Sequence, residues 1–80
     1  MRLDKFLKVS RLIRRRPLAK EICDAGRVEV NGRTAKAATE VKPGDRLTIG
    51  LGAKQLRVEV VELAENVPAH LAKNLYRVLE

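Results

Sequence analysis

Wound at 100° per residue, Leu3, Phe6 and Leu7 fall within roughly a 100° arc, and Arg2, Lys5 and Lys8 take much of the other side. This spacing predicts a short amphipathic helix. The pattern decays at Ser10, and Pro17 fits the first turn of a second helix, which runs through Leu18, Ala19, Ile22 and Cys23 to a stop at Gly26. From there the period changes to two, with Val28 and Val30 on one side and Arg27 and Glu29 on the other. Asn31-Gly32 ends this strand as a type I′ hairpin, whose two central residues need positive φ. A return strand is expected over Arg33 to Ala37, where the small Ala35 and Ala37 imply close approach of another element.

Val41 leads into Lys42-Pro43-Gly44-Asp45, a type II turn in which Pro43 presets φ and Gly44 takes the positive value. Alternation resumes at Leu47 and Ile49, breaks at Gly50 and Gly52, and returns in Leu56, Val58 and Val60, a second hairpin. A closing helix is predicted from a cap at Asn66 or Val67 and Pro68 in the first turn, with Leu71, Leu75 and Val78 at i, i+4 and i+7. The expected order is α-α-β-β-β-β-α, an α+β chain, and 80 residues permit one domain with a small core.

Charge changes the picture. Residues 1–20 hold Arg2, Lys5, Lys8, Arg11, Arg14, Arg15, Arg16 and Lys20 against the single acid Asp4, so the whole net charge of +7 lies there. The other sixty residues are neutral, which makes the first two helices the footprint expected of a polyanion partner. Arg14, Arg15 and Arg16 stand at the start of the second helix. Cations at the positive end of a helix dipole are unfavourable by roughly 0.3–1 kcal/mol each, and a docked phosphate reverses that sign. Removing Arg15 and Arg16 is therefore expected to leave folding intact.

Other functions find little support. One cysteine, Cys23, and one histidine, His70, at unrelated positions supply neither a disulfide nor a zinc site, and no Ser–His pair or carboxylate pair stands out. Neither an enzyme nor a cofactor is expected, and Gly50-Leu51-Gly52 lacks the Gly, Lys and helix of a phosphate loop. No apolar run approaches the length of a membrane span, so a cytoplasmic protein without membrane contact is expected. A basic amphipathic start also suits a transit peptide, but Asp4 interrupts the basic side and cleavage there would remove the first helix.

Phe6 and Tyr76 are the only aromatic residues and Phe6 is on the packing side, so there is no platform for stacking unpaired bases. Structured RNA and duplex DNA remain. A helix-turn-helix is conceivable over the first two helices, yet the second offers only Lys20, Glu21 and Asp24 as polar groups and no Asn, Gln or Ser for base edges.

Four motifs in order then resemble the S-four RNA-binding domain, the family named for small-subunit ribosomal protein four. They are Arg2-Leu3-Asp4, Arg16-Pro17-Leu18-Ala19, the run from Ala25 to Gly32, and Val41-Lys42-Pro43-Gly44-Asp45. The resemblance implies the αL RNA-binding motif, two basic helices packed on a small bent antiparallel sheet. It places the domain core in residues 1–50, with the second hairpin and C-terminal helix in 46–80. It also implies RNA contacts by Arg2, Lys5, Arg15, Arg16 and Lys20, with Lys8, Arg11 and Arg14 on the same surface and Arg27 and Lys36 at its periphery. Asp4 would orient a neighbouring basic side chain.

The opening from Arg2 to Arg16, the segment from Cys23 to Arg33 and the short tail are similar to the stand-alone members of bacterial ribosome-associated quality control. The small ribosome-binding heat-shock proteins, with a longer C-terminal extension, are their relatives. This narrower resemblance implies a monomer that binds rRNA and tRNA on large ribosomal subunits carrying stalled peptidyl-tRNA, together with an RqcH-type tailing factor. A general rRNA-binding assembly factor is the alternative.

Overall fold

The apolar stripe of residues 3–7 and the alternating valines and leucines farther on meet in one core. In a computed structural model, which describes residues 1–79, α1 (Leu3–Val9) and α2 (Arg16–Asp24) pack together. They lie against the inner face of an antiparallel sheet formed by β1 (Val28–Val30), β2 (Arg33–Thr34), β3 (Arg46–Leu51), β4 (Lys54–Val60) and β5 (Tyr76–Val78), in the order β2-β1-β3-β4-β5. Leu3, Phe6 and Leu7 of α1 and Ala19 and Cys23 of α2 are fully buried with Val28, Leu47, Ile49, Val58 and Val60. The opposite sheet face stays polar, because Glu29 pairs with Thr48 and Thr48 with Arg57 across neighbouring strands.

The Asn31-Gly32 hairpin turn and the Lys42–Asp45 turn form as their residues predict. Asn31 and Gly32 take φ of 53° and 85°, and the side chain of Asn31 also fastens the turn to β3. Its Nδ2 donates to Asp45 Oδ1 at 3.1 Å, while its Oδ1 accepts the N–H of Arg46 at 2.9 Å. In the Lys42–Asp45 turn Gly44 has φ 96° and the Asp45 N–H returns to the Lys42 carbonyl at 3.1 Å.

Three expectations need correction. The return strand stops at Thr34: the Ala35 N–H still donates to the Val28 carbonyl at 2.9 Å, but the backbone at Ala37 and Thr39 serves the helices. The carbonyls of Ala37 and Thr39 accept the N–H groups of Asp4 and Leu3, and the Ala37 N–H donates to Asp24 Oδ1. Buried Ala35 and Ala37 do permit that close approach. Gly50, expected to break the strand, stays in β3 paired with Gln55.

The closing helix is a single turn, α3 (Ala69–Ala72), with Pro68 itself at the cap position. A 3-10 turn follows at Lys73–Leu75 and the chain then becomes β5. Of the three residues placed on a helical stripe only Leu75 is buried, while Leu71 is 42% and Val78 58% exposed. The open edge of β4 decides the outcome. Val58 with Val78, Glu59 with Arg77 and Val60 with Tyr76 complete a ladder that a further helical turn would forgo.

Candidate nucleic-acid interface

The seam between α1 and α2 is closed by a buried carboxylate. Asp4 stands in the first turn of α1, only 3% exposed at its side chain, and a charge so placed needs partners. Arg2 Nε donates to Asp4 Oδ1 at 3.1 Å and its Nη2 to Oδ2 at 3.4 Å, while the N–H of Lys5 donates to Oδ1 at 2.8 Å. From the other helix Arg16 Nε lies 3.5 Å from Oδ2. Both arginine side chains remain nearly half exposed, 43% for Arg2 and 46% for Arg16. Asp4 thus holds two arginines from two helices in one place with donor groups left for another acceptor.

Arg15 occupies the cap position of α2 and no side chain caps that helix; its first turn has no acidic residue. The amides at that end lack a side-chain acceptor, so an anion there would meet both the dipole and the fork of Arg16. Arg14 and Arg15 are exposed and Lys8 is half-buried, and none has an ion-pair partner among the described residues.

The other predicted residues are placed differently. Lys5 pairs with Glu65, and Arg11 Nη2 donates to the Val67 carbonyl at 3.3 Å, so both reach the segment after β4. Lys20 bridges to Asp24 one turn along α2. Lys36 Nζ donates to the Asp24 carbonyl at 3.3 Å, where a cation complements the negative end of the helix. Arg27 borders a cleft of about 450 Å³ between α2 and the β3–β4 turn, lined by Leu18, Ile22 and Leu51 among others. Arg27 and Lys36 are therefore separated from Arg14, Arg15 and Arg16 by the length of α2, about 14 Å at 1.5 Å per residue.

Arg11 itself was not marked by any sequence signal as special in backbone. It takes φ 65°, the left-handed conformation common just beyond helix ends but usual for glycine. Its N–H returns to the Lys8 carbonyl at 3.1 Å, and Ser10 Oγ donates to the Leu7 carbonyl, so the α1 terminus turns sharply toward α2. Cys23 lies beneath the seam. Burial, helped by the carboxylates of Asp4 and then Asp24, pushes its thiol up to about 11, leaving it protonated at neutral pH.

Among the described residues no group of three or more His, Cys, Asp or Glu is placed to hold a metal ion, and no helix is long and apolar enough to cross a membrane.

The fold has counterparts in known proteins. The S4 domain family matches residues 1–47. The RQC P-site tRNA stabilizing factor of Bacillus subtilis is 55% identical over 80 residues, covering 100% of this chain and 93% of its own. The RQC P-site tRNA stabilizing factor of Halalkalibacterium halodurans is 58% identical over 78 residues, 98% of this chain and 89% of its own. In three dimensions the trimeric structure of Vibrio cholerae Heat Shock Protein 15 superposes with a TM-score of 0.91 at 30% identity, covering 99% of this chain and 81% of that one. With more than half of the chain matched by the domain and relatives aligned along nearly all of it, the chain belongs to the S4 domain family, among the RQC P-site tRNA stabilizing factors.

Proposed function

We propose that this protein is a non-enzymatic RNA-binding factor of ribosome-associated quality control. It sits on large ribosomal subunits that retain a stalled peptidyl-tRNA and binds rRNA and tRNA there. The observation that carries the reading is the pair of arginines, Arg2 and Arg16, oriented by buried Asp4 beside the uncapped start of α2. Two fixed guanidinium forks and free helix amides suit phosphate oxygens, and they need no exposed aromatic platform. The names of the relatives supply the P-site tRNA. In this reading the contacts are made by Arg2, Arg14, Arg15, Arg16, Lys8 and Lys20, with Arg27 and Lys36 meeting RNA only at the far end of α2.

The protein acts in the cytoplasm as a monomer, and it supports the alanine tailing carried out by an RqcH-type factor. Co-sedimentation tests the core of this reading. Binding to large subunits that carry peptidyl-tRNA is expected, with weakening after puromycin release. Equal binding to empty and loaded subunits would instead indicate an assembly factor, and preference for duplex DNA would defeat the RNA reading altogether. Light scattering at micromolar concentration checks the monomer against a trimer.

A further inference from the structure

Lys5 and Lys8 lie one turn apart on α1, with Arg2 at its N-cap and Arg11 just past its C-cap, so that four basic residues flank or line the helix. These four are not uniformly available. The segment between β4 and α3, residues 61–68, lies beside α1 and is attached twice, through Glu65 to Lys5 Nζ and through the Val67 carbonyl to Arg11 Nη2. Sixty residues separate Lys5 from Glu65 in sequence, so this contact exists only because the chain returns to α1 after completing β4. The Lys5 side chain is 31% exposed and that of Glu65 79%, and the contact between them lies at the surface. Neighbouring Lys8 has no such partner among the described residues.

We propose that Glu65 is an intramolecular stand-in for an RNA phosphate at Lys5 and thereby sets the border of the RNA footprint on α1. The inference rests on the RNA-binding reading of this face. A carboxylate and a phosphate compete for the same ammonium donors. An RNA that reaches Lys5 exchanges one anion for another, whereas an RNA that reaches Lys8, Arg14 or Arg15 makes a contact with no internal competitor and releases counterions. Glu65 also lies within a Debye length of any phosphate placed at Lys5, so its charge opposes such placement. The RNA is therefore directed to the seam at Arg2 and Arg16.

The test is a double-mutant cycle on the full chain, read by fluorescence anisotropy with unfractionated tRNA as the probe. Glu65→Gln is expected to tighten binding by roughly two- to five-fold, the scale of an exposed ion pair. It should also steepen the log–log salt slope by about 0.7–0.9, one added phosphate contact. Lys5→Ala should cost severalfold more affinity in the Glu65→Gln background than in the wild-type protein. Equal costs of Lys5→Ala in the two backgrounds would show a general charge effect and overturn the proposal. Unchanged or weakened binding by Glu65→Gln would do the same. Arg15→Ala/Arg16→Ala serves as the control for the underlying reading, since wild-type affinity in that variant would remove the RNA interface and this proposal with it.

Discussion

Arginine at a left-handed position is a local penalty, and at residue 11 the side chain offsets only part of what the backbone loses. With φ 65° at the end of α1, Arg11 stands where glycine would be unstrained, yet its guanidinium reaches the Val67 carbonyl. Arg11→Gly should therefore stabilise the fold by about 0.5–1 kcal/mol in urea denaturation, even though a side-chain hydrogen bond is lost. A destabilised variant would mean that the tether to the 61–68 segment outweighs the strain. The periodicity that placed α1 carries no trace of this, because the conformation of residue 11 is set by where α2 must pack.

At the scale of elements, the start of α2 is where charge and geometry can be separated. Arg15→Ala/Arg16→Ala and Lys54→Ala/Arg57→Ala each lower the net charge from +7 to +5. If the seam is the interface, only the first should lose substantial RNA affinity, with its salt slope flattened by up to two contacts of about 0.7–0.9 each. Equal losses would mean diffuse attraction. The structure corrects one part of the expectation from sequence. Arg15 is exposed and free, but Arg16 is a partner of buried Asp4, so removing it leaves that carboxylate to Arg2 and the Lys5 amide. A modest loss of stability, about 1 kcal/mol, should accompany Arg16→Ala and be absent in Arg15→Ala, as thermal melts would show.

For the whole molecule, acid is the informative perturbation. Burial raises the Asp45 pKa, but the Asn31 amide, the Lys42 N–H and the Lys42 ammonium together outweigh it and hold the carboxyl below its ordinary 3.8. Asp24 is held low in the same direction, first by the Ala37 N–H and then by Lys20. A depressed folded-state pKa means that the folded state binds protons less readily than the unfolded chain. The resulting stability is fully present above the ordinary carboxylate value and is lost as pH falls through the folded one. Denaturation midpoints should thus change little through these groups between about pH 7 and pH 5, then drop below about pH 4. Asp45→Asn should flatten that drop, and an unchanged acid limb would show that Asp45 does not couple the two turns.

Periodicity and turn chemistry determined the two helices, the turns at Asn31-Gly32 and Lys42–Asp45 and the α+β class, because each is decided among residues a few positions apart. Composition likewise confined the net charge to residues 1–20. The tertiary structure decided the rest. The pairing of Arg16 with Asp4 requires two helices to meet, the contact of Lys5 with Glu65 requires the chain to return after β4, and β5 forms because β4 presents an unpaired edge. These are contacts between distant segments, and a local pattern cannot encode which backbone edge or carboxylate will be waiting when a segment arrives.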